Sequence, residues 1–159
     1  MSIKLKLKPK TPIKINSTVK NLVKSLGLNT SPVYLKLTKV IGSRAGYCFN
    51  NCEEYASKNK CEVIYGWMIW EDRKSEFIEA EFHAVIKENN IIKDISPRFN
   101  MEDRILFVED DTRACGRKET NSWYSWSNIK IFNGIVKENA LPIEIIELDD
   151  IHSEIVRLT

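Results

Sequence analysis

The chain lacks several features that would assign it to a broad class of proteins at once. No apolar run approaches the ~20 residues that a membrane-spanning helix requires. No apolar signal-peptide core follows the basic start, MSIKLKLKPKTPIK. The four cysteines are too few and too irregularly spaced for a disulfide scaffold. We therefore expect a cytoplasmic protein with free thiols and no membrane partner.

Acidic side chains are absent from the first 52 residues, which carry ten lysines and arginines and a net charge of +10. The remaining residues have a net charge of −8, so the whole chain is only weakly basic at +2. Such a segment can bind an anionic partner such as nucleic acid, or it can pair with the acidic part of its own fold. We favour self-pairing, and the first ten residues lack the aromatic side chains typical of a single-strand binder.

The 159 residues are expected to form one domain, 1–159, of the α+β class. Residues 1–14 alternate lysines with apolar residues, which predicts a basic N-terminal arm or an edge strand. NSTVKNLVKSLGLN has helical spacing, with Asn16 or Ser17 as the start signal and Gly27 as the stop. A second helix is predicted from about Cys48 to about Lys58.

After the second helix the pattern changes to β-structure. CEVIYGWMIWE, EFIEAEFHAVIK, NNIIKDIS and DRILFVED are four β-rich runs separated by short polar breaks. They predict an antiparallel meander, with ENN as a hairpin turn. SWYSW is expected to lie in a loop, and the last thirty residues predict one or two strands and a short terminal helix.

A histidine in the second run and an aspartate in the third are candidate catalytic residues. Strand alternation places His83 with Glu79, Glu81, Val85 and Lys87, on the polar face of its strand, and opposite to Phe82. Neighbouring antiparallel strands joined by a short turn bring such positions within roughly 5–8 Å. Asp94 can then accept a hydrogen bond from one imidazole nitrogen of His83 and leave the other free to act.

Cys48 is the candidate nucleophile because it follows the flexible turn RAG at the predicted start of a helix. Unpaired backbone N–H groups and the positive end of the helix dipole favour a thiolate there, and an adjacent imidazolium favours it further. A thiolate so activated attacks carbonyl carbon.

GYCF and HAVIKENNIIKDISP together resemble the transglutaminase-like branch of the papain-like cysteine superfamily. The resemblance covers about residues 42–97, and its Cys-His-Asp order is also similar to that of arylamine N-acetyltransferases. It departs from the family at Val85, where tryptophan is frequent. The resemblance implies a papain-like core within residues 42–109, in which the nucleophile helix packs on the antiparallel β-meander. It implies Cys48 as nucleophile, His83 as general base and Asp94 as the residue that orients the imidazole.

This pattern predicts cysteine-dependent acyl transfer without a cofactor or metal, with hydrolysis of an amide or ester of a peptide, protein or small acyl substrate as the expected outcome. One alternative is an amine-accepting transferase, of the transglutaminase or N-acetyltransferase type. Another is a non-catalytic papain-like module that binds an anionic partner through its basic N-terminal segment. A zinc site built from Cys48, Cys52, Cys61 and Cys115, with His83 and His152 in reserve, is disfavoured by the irregular spacing.

Further residues are candidates for the walls of the site. Trp67 and Trp70 fall on opposite faces of one strand, so one is expected in the core and the other in the cleft. The aromatics of SWYSW either pack on the core, which we favour, or form one wall of a substrate groove.

Other residues are candidates for charge selection and for the oxyanion hole. Glu71, Glu79 and Glu81 either form a solvated or self-paired face, which we favour, or select a cationic substrate. The Cys48 N–H is a natural oxyanion donor, and Ser43, Arg44 and Asn51 are near enough along the chain to supply the second.

Overall fold

The computed structural model of the protein describes residues 6–147 and 153–157. The described residues form an α+β fold with two helices, α1 and α2, and eleven strands, β1 to β11, all paired antiparallel. Their bounds are α1 Ser17–Ser25, β1 Val33–Lys36, α2 Cys48–Lys58, β2 Glu62–Asp72, β3 Phe77–Glu88, β4 Ile91–Lys93, β5 Arg104–Glu109, β6 Gly116–Glu119, β7 Ser122–Trp126, β8 Ile129–Phe132, β9 Ile135–Glu138, β10 Pro142–Glu147 and β11 Ser153–Arg157.

The strands form two sheets. The larger has the order β1-β5-β2-β3-β8-β9, with β4 also paired to β3, and the smaller has the order β11-β10-β7-β6. The predicted meander is confirmed for β2, β3 and β4 but is wrong for β5, which pairs with β1 and β2. The chain crosses from β4 to the far edge of β2 through residues 94–103, which form no strand. This crossing segment brings a loop past the end of β4, where the candidate site lies.

The main core lies between the larger sheet and the helices. Helix α1 buries Val19, Leu22 and Val23 on this face of the sheet, while α2 buries Phe49 and Cys52. The predicted start of α1 is confirmed, since the Asn16 side chain accepts a hydrogen bond of 3.0 Å from the Val19 N–H. Its predicted end is confirmed too, because Gly27 has a φ of +76° just beyond the helix.

The opposite face of the larger sheet is also apolar over much of its area. Met68, Trp70 and Val85 are buried there beside Ile105 and Phe107 of β5. The sequence predicted a polar face around His83, and this is wrong, because the histidine is only 5% exposed among these apolar side chains. The physical reason is the position of β5, because the Phe107 ring lies over Gly66, the β2 residue that pairs with His83.

The smaller sheet holds α2 from the side away from β3. Trp123 of β7 is buried with its ring centroid 6.2 Å from that of Phe49, and its Nε1 donates to Glu53 Oε1 at 3.0 Å. SWYSW is therefore a strand that packs on the core, as we favoured, and not the loop that we expected. The predicted terminal helix is wrong for residues 153–157, which form β11.

The described part of the N-terminal arm contacts acidic residues through its backbone and a hydroxyl group, and none of its lysines forms an ion pair with a described side chain. Lys10 and Glu71 exchange two backbone hydrogen bonds of 2.8 Å, and the Lys8 N–H donates to Asp72 Oδ2. Thr11 donates to the Glu102 carboxylate. Residues 6–14 are thus docked on the protein by one isolated bridge and side-chain contacts, while residues 1–5 lie outside the described part. Within the ranges described, neither helix is long and apolar enough to cross a membrane.

Candidate functional site

The site lies at an interruption in the pairing of β3. On its outer edge, β3 pairs with β8 as far as the Ala80–Ile129 pair and with β4 from the Ile86–Lys93 pair onward. Between these ladders, residues 81–85 pair only with β2 among the described strands. His83 is in the middle of this gap, and the gap gives side chains from both faces of the sheet access to one cleft.

A two-residue hairpin turn sets the distance between His83 and Asp94. Glu88 pairs with Ile91, and the intervening Asn89 and Asn90 have φ values of 51° and 64°. Two consecutive positive φ values are typical of a type I′ turn, so the predicted hairpin is confirmed. Asp94 follows one residue after the Ile86–Lys93 pair and is therefore diagonal to His83.

The structure brings His83 and Asp94 into direct contact. His83 Nε2 lies 3.0 Å from Asp94 Oδ1, and the carboxylate is fully buried. The second oxygen, Oδ2, accepts a 2.5 Å hydrogen bond from Arg98 Nη1. Burial by itself would raise the pKa of Asp94, but hydrogen bonds and charges of His83 and Arg98 outweigh it and hold that pKa below its ordinary value. An ionised Asp94 accepts the Nε2 proton and leaves Nδ1 of His83 for another partner.

The Cys48 thiol lies close enough to the imidazole to act on its pKa through charge and hydrogen bonding. Burial lowers the pKa of His83, yet the charge of Cys48 and the hydrogen bonds from Asp94 and Cys48 together raise it to about 10 from the ordinary 6.5. The arrangement therefore favours a protonated imidazole at neutral pH. His83 is bonded to Asp94 and lies beside Cys48, so it connects the carboxylate to the thiol.

Cys48 is the first residue of α2, as predicted. The residue before the helix, Tyr47, makes no side-chain cap, so the first N–H groups of α2 are left without a cap of that kind. Gly46 turns the chain into the helix with a φ of +82°, a conformation that costs an L side chain roughly 1–2 kcal/mol. The Phe99 ring lies 3.3 Å from where a Gly46 Cβ would be, so a larger residue would also displace this ring.

The other three cysteines are in environments that keep their thiols protonated. Burial raises the pKa of Cys52, which is fully buried in the main core. Burial also raises the pKa of Cys61, and burial together with Asp110 raises that of Cys115 to about 11. Among the described side chains, no three of the Cys, His, Asp or Glu type form a group that could hold a metal ion, and His152 lies outside them.

Asn51 ties the turn before Cys48 to the loop after Asp94. Its Oδ1 accepts from the Arg44 N–H at 3.1 Å, while its Nδ2 donates to the Arg44 carbonyl at 2.8 Å and to Ser96 Oγ at 3.0 Å. Because both amide hydrogens are already used, Asn51 is a brace for the site and not an available oxyanion donor. The same bonds fix Cys48 relative to residues 94–98.

The cleft beside these residues has a volume of about 310 Å³. Cys48 and Phe49 line it on the helix side, and His83 and Arg98 line it at the sheet edge. Trp70 lines it as well, whereas Trp67 is fully buried in the core, so the division expected of these two tryptophans is confirmed. The cleft is large enough for a small acyl group or one side chain of a peptide.

Sequence reasoning missed Arg98 and Ser96. Arg98 is 8% exposed and clamps Asp94, and Ser96 links that loop to Asn51. Arg98 follows Asp94 by four residues, but nothing in one sequence distinguishes it from the other 23 lysines and arginines.

A search of protein-family models, of curated proteins and of solved structures finds no match to this chain.

Proposed function

We propose that the protein is a cysteine hydrolase that cleaves an amide or ester bond by acyl transfer through Cys48, His83 and Asp94, on a papain-like, transglutaminase-like core. One observation carries the proposal. A buried imidazole is hydrogen-bonded to a carboxylate through Nε2 and lies near a helix-start thiol that raises its pKa, and the thiol and the imidazole line the same open cleft. Nucleophile, base and orienting group are thus in contact in the order that this chemistry requires.

The first half of the reaction forms a thioester. Cys48 Sγ attacks the carbonyl carbon of the substrate, and the carbonyl electron pair moves to oxygen. When the carbon–nitrogen or carbon–oxygen bond breaks, the protonated His83 gives its proton to the leaving group. The pKa of about 10 for His83 keeps the imidazole protonated at neutral pH, so that it can give this proton.

The second half of the reaction transfers the acyl group to water. Neutral His83 takes a proton from a water molecule, whose oxygen attacks the thioester carbon. The carbon–sulfur bond then breaks, which releases the carboxylic acid and restores the thiolate–imidazolium pair. An amine in place of water would give the transferase that the sequence left as an alternative.

Negative charge on the carbonyl oxygen requires donors at the helix start. The backbone N–H groups of the first turn of α2 carry no side-chain cap and lie beside the thiol. The Cys48 N–H is the natural first donor. Asn51 is excluded as the second oxyanion donor because its Nδ2 already donates to the Arg44 carbonyl and to Ser96 Oγ.

Limiting alkylation tests the nucleophile. With a sub-stoichiometric neutral iodoacetamide at pH 7, we expect peptide mass spectrometry to find the label on Cys48, because the pKa values of the other three thiols are raised. In H83Q the labelling of Cys48 should rise only near pH ~8.5, as in an ordinary thiol. Equal labelling of Cys61, or coincident pH curves for both proteins, would contradict the assignment.

Trapping of an acyl group tests the reaction. A panel of small activated esters should give an adduct on Cys48 that hydroxylamine removes, and turnover should be lost in C48S and H83Q. C61S is the matched control, because it removes a partly exposed thiol outside the cleft and should retain turnover. Accumulation of adduct without hydrolysis, followed by release on addition of an amine, would favour the transferase instead.

A further inference from the structure

One end of the cleft carries a carboxylate that the proposed reaction does not use. Glu81 lies on β3 two residues before His83, with its side chain on the same face, so the two positions are about 7 Å apart along the strand. Glu81 is exposed and lines the cleft together with Met68 and Trp70. Trp70 Nε1 donates to Glu81 Oε2 at 3.3 Å, which turns the carboxylate toward the indole.

Charges elsewhere in the cleft are already compensated. Arg98 pairs with Asp94, which also pairs with His83. Among the residues that the structure describes, no lysine or arginine forms an ion pair with Glu81. Glu81 is therefore an exposed carboxylate of the cleft without an ion-pair partner among these residues.

The neighbouring indole of Trp70 is only 9% exposed, but it lines the cleft. Trp67 and Trp126 have the Arg113 guanidinium over their rings, and Trp123 has that of Arg117. Trp70 has no such partner within the described part of the chain. An aromatic ring next to an unpaired carboxylate is a general arrangement for binding a cation, since the ring attracts it through its quadrupole and the carboxylate through its charge.

We propose that Trp70 and Glu81 form a subsite for a positively charged group, an alkylammonium or a guanidinium, on the acyl donor of the proposed reaction. The cation is a short chain away from the carbonyl that Cys48 attacks. The inference rests on the proposed function for its reaction, but it makes a separate claim about which acyl donors the cleft selects.

Thiol reagents of similar size and different charge test the subsite directly. We would use three methanethiosulfonates of similar size, with an ethyl tail that ends in trimethylammonium, hydroxyl or sulfonate. The Cys48 thiolate attacks the sulfenyl sulfur of each, a disulfide forms and methanesulfinate leaves. Peptide mass spectrometry gives the rate at Cys48, and each charged-reagent rate is divided by the neutral one. We expect E81Q to lower the cation-to-neutral ratio about fivefold, near the upper end for an exposed ion pair.

Two further variants separate a local subsite from a general field. E79Q removes the same charge two residues away, at a side chain that is bonded to Asn128 and does not line the cleft, and should leave the ratio unchanged. E81K should reverse the preference toward the sulfonate reagent. W70L, which deletes the ring, should lower the ratio, whereas W70F should keep more of it.

Each outcome has one meaning for the proposal. An equal fall of the ratio in E79Q and E81Q would overturn the subsite, because long-range charge would then explain it. Selective reaction of Cys48 with the neutral reagent, with a ratio insensitive to E81Q and E81K, would overturn the subsite and leave the hydrolase proposal standing. A Cys48 no more reactive than Cys61 toward all three reagents would overturn both.

Discussion

At the scale of single residues, Arg98 determines what Asp94 can do. A buried carboxylate is costly unless other groups compensate it, and Asp94 has both an imidazole and a guanidinium. Arg98 Nε also donates to the Glu102 carbonyl at 3.0 Å, so the same side chain fixes the loop after the hairpin. In the proposed reaction Arg98 is therefore a positioning residue, which would act only through Asp94 and His83.

Removal of Arg98 should cost both stability and reactivity. We expect R98M to lower the free energy of unfolding by about 3 kcal/mol, because it leaves a buried carboxylate without one of its two cations. Urea denaturation measures this loss. The pH curve of Cys48 alkylation should also shift, since an Asp94 without Arg98 is less ionised and holds the imidazolium less well.

R104M is the matched control for that variant. Arg104 is exposed and stacks on Tyr34 at 4.3 Å, away from the cleft, so its loss should change stability little and the alkylation curve not at all. R98K should fall between wild type and R98M, because lysine restores the charge without the planar fork. An R98M protein with the wild-type alkylation curve would show that Arg98 is only structural.

At the scale of elements, the β3–β4 hairpin sets the position of Asp94 relative to His83. Its two-residue turn fixes the register that puts Asp94 diagonal to His83, and residues 94–98 then bend toward α2. A turn with a different preferred geometry would move the carboxylate relative to the imidazole.

A single turn substitution tests this. N90V places a β-branched residue at a φ of 64°, which should destabilise the protein by about 1–2 kcal/mol and slow Cys48 alkylation at pH 7. N90G, which suits a type I′ turn, should retain both properties. Thermal melting measures the stability of both variants, and alkylation rates measure the reactivity of Cys48 in each. An N90V protein with unchanged alkylation would show that the register does not depend on this turn.

Local sequence patterns were sufficient for the elements that depend on neighbouring residues. The start and spacing of α2, the β2–β4 meander and the Asn89–Asn90 turn could all be predicted from side-chain periodicity and turn chemistry. The placement of β5 beside β2 and the burial of His83 could not, because both depend on pairing between distant parts of the chain. Arg98 was missed for the same reason, since its function depends on a bend that periodicity does not encode.

At the scale of the whole molecule, the site makes the free energy of unfolding fall at both high pH and low pH. The pKa of His83 is raised in the folded state, so its contribution is complete below about 6.5 and is lost as the pH rises toward about 10. The pKa of Asp94 is lowered, so its contribution is present above its ordinary 3.8 and is lost as the pH falls through its folded value.

Unfolding at several pH values should reveal both slopes. Between pH 7 and pH 10 the wild-type protein should lose more of its free energy of unfolding than H83Q does. Below pH 4 it should lose more than D94N does. Urea denaturation across the pH range measures these differences, and parallel curves for wild type and H83Q above pH 7 would contradict the charged state assigned to the imidazole.

The docked arm gives a second prediction at this scale. Deletion of residues 1–5 should leave the melting temperature nearly unchanged, whereas deletion of residues 1–12 should lower it. The longer deletion removes the two Lys10–Glu71 backbone bonds and the Pro12 carbonyl that accepts from Tyr34 Oη at 2.7 Å. Scanning calorimetry compares the two truncations, and equal melting temperatures would show that the arm is not part of the fold.

The basic segment is also expected to bind anionic partners such as heparin or RNA. Deletion of residues 1–10 should weaken that binding, and the loss should shrink as added salt screens the charges. Affinity measured at low and high salt tests this, and binding that does not change on deletion would contradict it.

The interruption in β3 also has a consequence for how the protein acquires its reactivity during folding. Cys48 comes from a helix, His83 from an edge gap that exists only once β8 and β4 have both paired, and Arg98 from a loop that crosses to β5. In the proposed reaction the Cys48 thiol gains its base only when sequence-distant contacts have formed, and such contacts form slowly. The nucleophile should therefore remain an ordinary thiol during synthesis and early refolding. The alkylation rate of Cys48, measured at intervals during refolding, would then report when the last long-range contacts form.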